Sequence, residues 1–199
     1  MNHSNPTSQP TTAPTQPAAT NNGPAPTTPG TYRYNGSGTT VLETSSGTQS
    51  LPAATQTNLT ISGGGASEQW ANSVTTDNLT FTSSGVFLTS ETLSSATGAA
   101  GTSCVFASPV AYPPWPLAVG KSSSGTANCG SGTLSLSVQV VSQSGANFVV
   151  KISQTSGSLK VTETDTYSPS LRMPIATSFV ILGSYGSTAV STQSSYTLA

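Results

Sequence analysis

The sequence predicts an all-β fold: an antiparallel meander of about ten strands forming a curved sheet, an open barrel or a sandwich. Two observations carry that expectation. Apolar residues alternate with Ser and Thr in short runs, and the runs are separated by Gly- or Ser-containing turns at spacings of roughly 8–14 residues. A third supports them: no stretch holds a helical period firmly, the one place for a helical turn being Ala66–Asn72, where a strand carrying Trp70 fits equally.

The first segment, residues 1–30, stands apart. It is built from Pro, Thr, Gln, Asn and Ala and has no Val, Ile, Leu or aromatic residue, so it cannot offset the entropy of ordering itself. It reads as a disordered Pro/Thr-rich tether ahead of a single all-β domain over 31–199. It has no basic start and apolar run of the kind that directs export. The expectation is that it follows a processing site, with Met1 an added start residue. The sole histidine, His3, lies here.

Within the body, Tyr32 and Tyr34 alternate with Arg33, Gly36 and Gly38 break the run, and Val41 and Leu42 resume it, which reads as two short strands and a turn. Leu59 and Ile61 form a strand ended by Gly63-Gly64-Gly65. Leu79 and Phe81, then Val86-Phe87-Leu88 across Ser84-Gly85, form a hairpin. Leu134, Leu136, Val138 and Val140 alternate cleanly with polar residues. After Ser144-Gly145 come Phe148, Val150 and Ile152, and after Ser156-Gly157 come Leu159 and Val161: a meander with one apolar and one wet face. Phe179-Val180-Ile181-Leu182 is apolar at both parities and predicts a strand covered on both faces. Val190, Tyr196 and Leu198 close the chain.

Between the two halves lies Cys104–Cys129, which holds the only two cysteines and Pro109, Pro113, Pro114 and Pro116. Proline fixes φ and removes a donor, so Pro113 to Pro116 cannot sit inside a sheet. The stretch reads as a rigid crossover stapled by a Cys104–Cys129 disulfide, with Tyr112 and Trp115 packing on the sheet; a ligand-gating lid built on Tyr112, Trp115 and Trp70 is the functional alternative. Two buried free thiols are the alternative to the disulfide. A disulfide would point to an oxidising compartment.

The segment Tyr112-Pro113-Pro114-Trp115-Pro116-Leu117-Ala118-Val119-Gly120-Lys121-Ser122 resembles the aromatic-Pro-Leu-x-Val-Gly-Lys-Ser segment of uncharacterised secreted or lipid-anchored bacterial β-sheet proteins. The later Thr166–Pro174 stretch is similar to their aromatic-x-Pro-x-Leu element, and Tyr32-Arg33-Tyr34 to their opening strand. The Trp that often follows Gly-Lys-Ser is absent, Ser123 and Ser124 standing there. The resemblance implies a secreted or lipid-anchored protein of the bacterial cell envelope and brings no activity with it. Some β cradles of related appearance carry lipids, which suggests a lipid or other apolar small molecule as ligand and envelope proteins as partners.

Composition excludes several classes. Charged residues make up 6% of the chain, against about 25% in an average domain. The five basic residues are scattered, so there is no surface for nucleic acid. No apolar run approaches the roughly 20 residues of a transmembrane helix. Two cysteines and one histidine do not make a four-ligand zinc site, and no cofactor motif is present, so neither metal nor cofactor is expected. A histidine-based triad lacks a histidine placed in the fold, so no catalytic residue is assigned. Carboxylates are the remaining candidates. Asp77 and Glu91 flank the 79–88 hairpin. Glu163 and Asp165 share the parity of Leu159, Val161 and Tyr167, so a bulge shifts them, or the strand leaves the core and they are solvated, or they point inward as buried carboxylates that line a cavity, bind a cation or act as acid and base. The expectation is a non-enzymatic envelope protein holding an apolar ligand. A structural or adhesive surface module is the alternative, and a carboxylate hydrolase a distant third.

Overall fold

The computed structural model describes residues 28–62, 65–70, 73–82, 84–95, 101–130, 132–185 and 187–199. Most of the segment expected to be a tether, residues 1–27 with His3, therefore lies outside the described residues, as do Gly63 and Gly64 of the expected glycine turn.

Thirteen strands form one antiparallel sheet: β1 (Gly30–Thr44), β2 (Gly47–Pro52), β3 (Gln56–Ile61), β4 (Gly65–Trp70), β5 (Ser73–Thr82), β6 (Gly85–Ser95), β7 (Thr102–Ala111), β8 (Ser122–Asn128), β9 (Thr133–Ser144), β10 (Asn147–Ser156), β11 (Leu159–Ser168), β12 (Met173–Tyr185) and β13 (Thr188–Leu198). β13 pairs back onto β1 from Tyr34↔Leu198 to Glu43↔Ala189, so twelve strands close into a barrel. β2 is the extra strand. It pairs with the C-terminal half of β1, while β3 pairs with the N-terminal half. Closure satisfies the ladder groups that an open sheet would leave at its edges. It selects the barrel from the expected alternatives of curved sheet, open barrel and sandwich.

The alternation read in the sequence sets the inner and outer faces. On β9, Leu134, Leu136, Val138 and Val140 are buried while Thr133, Ser135, Ser137 and Gln139 are exposed. Along this strand the outward face is polar and the inward face apolar, the inverse of the outward apolar band of a lipid-embedded strand. No helix among the described residues is long and apolar enough to cross a membrane.

Two local expectations are corrected and one open alternative is decided. The break expected at Gly36 and Gly38 is absent, because β1 runs unbroken through both. Both glycines face inward where β13 crosses closest: a Cβ on Gly36 would strike the Ser195 carbonyl and one on Gly38 the Gln193 carbonyl. They are glycine for proximity, not for a turn. The strand expected to be covered on both faces, β12, is covered on one. Phe179 is 6% exposed, whereas Val180 and Leu182 point outward at 37% and 49%. Of strand and helical turn, Ala66–Asn72 takes the strand, β4, as far as Trp70.

A twelve-strand barrel is wider than the roughly eight strands whose own side chains fill the interior. Two apolar clusters and the crossover occupy it. The larger cluster gathers Leu88, Val110, Leu136, Val138, Val140, Val150 and their neighbours from β6–β11. The smaller gathers Tyr34, Met173, Phe179 and Tyr196 from β12, β13 and β1. The crossover between β7 and β8 inserts Leu117, Tyr112 and Trp115 into the larger cluster. It is held at both ends by backbone bonds, Tyr112 N–H to Val86 O (2.8 Å) and Gly120 N–H to Val140 O (2.8 Å). The peptide bonds before Pro113 and Pro116 are cis.

Candidate functional site: a carboxylate-lined lumen

Cross-strand partners run in inner rows. One reads Val138–Ile152–Glu163–Phe179–Ser194–Gly38, and the next Val140–Val150–Asp165–Thr177–Tyr196–Gly36. Glu163 and Asp165 therefore sit where the aliphatic wall gives way to an aromatic and hydroxyl wall. The reading in which these carboxylates point inward is the one the structure adopts, and their solvated placement is overturned: Asp165 is 4% exposed and Glu163 is half-buried and lines a cavity. The irregularity in β11 comes after them, at Thr166/Tyr167 on the β12 side, so no bulge turns them outward.

A second pair faces them. Ala66 pairs with Asp77, and Asp77 with Glu91. Asp77 and Glu91 do not merely flank a hairpin. They are direct cross-strand neighbours, with Asp77 on the lumen wall. Counted around the barrel, β5 and β11 stand on opposite sides. Asp77 was legible, since it shares the parity of Leu79 and Phe81. Glu91 was not, because register shifts at Asn78/Leu79 and Leu88/Ser90 invert the count along β6.

Burial in an apolar wall disfavours charge. Burial first, then the Glu91 charge, pushes Asp77 well above the usual carboxylate range. Burial also raises Glu91, offset by a hydrogen bond from Gln154 Nε2 to Glu91 Oε2 (2.8 Å). Asp165 is pushed up to about 6 by burial, with hydrogen bonds to Thr177 and Glu163 pulling it back. The Thr177 hydroxyl donates to Glu163 Oε1 at 3.4 Å. Two carboxylate oxygens, Asp77 Oδ1 and Asp165 Oδ1, are buried without a hydrogen-bond partner among the described residues. Trp115 Nε1 shares that condition.

Tyr112 stands between the two pairs. Its phenol is held well above its ordinary value by burial and then by the charges of Glu163, Asp77, Asp165 and Glu91. Trp115 meets Tyr167 edge-on, with ring centroids 6.4 Å apart. Thus Tyr112 and Trp115, expected as packing or lid residues, lie in the lumen. Trp70 ends β4, and its side chain lies outside the described residues. The turn after β11 supplies a cation: Arg172 takes a left-handed φ of 60° and lines the cavity. Arg172 N–H bonds Ser168 O (2.7 Å), and its own carbonyl accepts from Tyr167 OH (2.6 Å).

Several of these groups border a cavity of about 110 Å³ between the two clusters. Leu59, Leu79, Val138, Val150 and Ile152 give it apolar walls, and Asp77, Glu163, Tyr112 and Arg172 give it polar ones. The expected disulfide is present: Cys104 and Cys129 join the start of β7 to the residue after β8 with sulfurs 2.04 Å apart. Among the described residues, no group of three His, Cys, Asp or Glu is placed to hold a metal ion.

No protein-family model matches this chain, and no curated protein or solved structure matches it significantly.

Proposed function

We propose that the protein is a non-enzymatic, extracytoplasmic binding barrel of the bacterial envelope, secreted or lipid-anchored, that holds a small, largely apolar ligand in its lumen. The observation that carries this reading is the cavity between the two core clusters. A dry cavity of about 150 Å³ accepts a benzene ring, so a cavity of about 110 Å³ suits a short branched chain or a small ring. That narrows the lipid expected from the sequence to a small molecule or to the end of a longer one. The Cys104–Cys129 disulfide supports the compartment, and the Pro/Thr-rich segment supports a tether to envelope partners.

The modest volume favours a second reading, a structural or adhesive module with a nearly solid core. Native mass spectrometry of protein exported by a bacterial host separates the two. The binding reading expects excess mass that denaturation releases as a small organic molecule. A bare mass, together with no thermal shift from benzene or isopentyl alcohol, would leave the structural module.

A further inference from the structure

We propose that the lumen recognises a small organic cation, a protonated amine on a short apolar body, with Asp77 and Glu163 as the groups that meet the ammonium. The inference rests on the binding reading above and specifies its ligand.

Three observations carry it. First, carboxylates from opposite sides of the barrel, Asp77 on β5 and Glu163 on β11, line one cavity whose remaining walls are mainly aliphatic. An amine with a branched or ring body matches both surfaces. Second, Asp77 Oδ1 on that wall and Asp165 Oδ1, two residues from Glu163 on β11 across the barrel, are buried without a partner among the described residues, and Asp165 itself is 4% exposed. A buried acceptor left unpaired costs about 1–3 kcal/mol, which an N–H donor would recover. An added carboxylate would worsen it, and an alcohol offers one donor where an ammonium offers three. Third, among the described residues the ionisable groups that line the cavity or act on its tyrosines are Asp77, Glu91, Tyr112, Glu163, Asp165, Tyr167 and Arg172. Both tyrosines are held neutral by burial. Four carboxylates thus face one guanidinium, Arg172, so the lumen is net negative once two of them are ionised.

That proton inventory fixes the pH dependence. An ammonium favours the ionised carboxylates, so its binding displaces the protons that burial holds on Asp77, Glu91 and Asp165. Affinity therefore rises with pH through the raised carboxylate range. A neutral ligand lacks this coupling.

The test is an NMR titration of the full chain with isopentylamine, isopentyl alcohol and isovalerate, which share one apolar body. The expected result is an amine affinity about tenfold or more above the alcohol's at pH about 8, shrinking at pH about 5, with isovalerate weakest. Asp77→Asn should erase most of the preference for amine over alcohol. Glu163→Gln is the second variant if Asp77→Asn fails to fold. Equal affinities for amine and alcohol, or an unchanged preference in a folded variant, would overturn the cation inference and leave the cavity reading standing. No binding by any of the three would defeat the cavity reading, and this inference with it.

Discussion

The two halves of this barrel are built from different chemistry. The β6–β11 half is lined mainly by Val, Leu, Ile and Phe and encloses the crossover. The β12–β13–β1 half is lined by Tyr34, Tyr196, Phe179, Thr177 and Ser194, with Gly36 and Gly38 at the closing seam. The first half closes by burying aliphatic surface. The second closes by bringing backbones together, with tyrosines spanning what is left. At both edges of the aliphatic half, on β5/β6 and again on β11, the inner rows carry carboxylates. The polarity of the lumen is thus supplied at the edges of its aliphatic lining.

The sharpest way to break the aliphatic half is at its weakest ladder. β7 and β8 share only the pairs Val105↔Asn128 and Phe106↔Ala127. Beyond them, Val110 leans over Gly125, where a Cβ would collide with the valine methyl. The disulfide lies beside the two surviving pairs. It spans 25 residues, for which loop-closure entropy gives roughly 3–4 kcal/mol. Reduction, or Cys104→Ser with Cys129→Ser, should lower the urea midpoint accordingly. Hydrogen exchange should rise first in β7 and β8. An unchanged midpoint would mean that the crossover alone holds this seam.

The carboxylate boundary responds to pH with a defined sign. Asp165 binds its proton more tightly when folded, at about 6, than at its ordinary 3.8. Stability is therefore greatest below about 4 and falls as pH rises to about 6, by up to about 3 kcal/mol. Asp77 and Glu91 shift in the same direction. Thermal melts across that range should show the decline, and Asp165→Asn should flatten it. A melting temperature that stays flat through this range would show that the inner carboxylates are solvated.

At the closing seam the expected loss is smaller, since overpacking costs about 1–3 kcal/mol. Gly36→Ala places a methyl against the Ser195 carbonyl and the Tyr196 ring. Exchange should rise in β13 and the N-terminal half of β1 while β9 and β10 remain protected. If β9 and β10 lost protection equally, the two halves would be one cooperative unit.

Legibility in the sequence follows the same division. The β9–β11 meander and its turns at Ser144-Gly145 and Ser156-Gly157 could be read directly, because one apolar face and one wet face produce period-two alternation. β1 could not. Its inner face mixes tyrosine, glycine and threonine, and a glycine kept small by a neighbour 160 residues away looks the same in sequence as a turn glycine. Outward Val180 and Leu182 imitated a doubly buried strand for a similar reason. Glu163 and Asp165 stood out because they broke an otherwise clean parity. Glu91 stayed hidden behind bulges that no local pattern announces.

The smallest effect gives the finest comparison, because each half sends one tyrosine hydroxyl to the same turn. Tyr34 OH donates to Pro174 O at 2.7 Å, and Tyr167 OH donates to Arg172 O at 2.6 Å. Each hydroxyl contributes about 1 kcal/mol net, so Tyr34→Phe and Tyr167→Phe should destabilise alike. They should differ at the lumen. The Tyr167 bond holds the backbone of Arg172 at its left-handed φ, and Arg172 lines the cavity beside Tyr167 itself. The Tyr34 bond reaches Pro174, on the side of the turn that belongs to β12. Tyr167→Phe should therefore move the NMR signals of Arg172 and Tyr112, and Tyr34→Phe should leave them in place. Equal perturbation of Arg172 by both variants would mean that the turn responds as a rigid whole, and that neither lining alone positions the cation of the lumen.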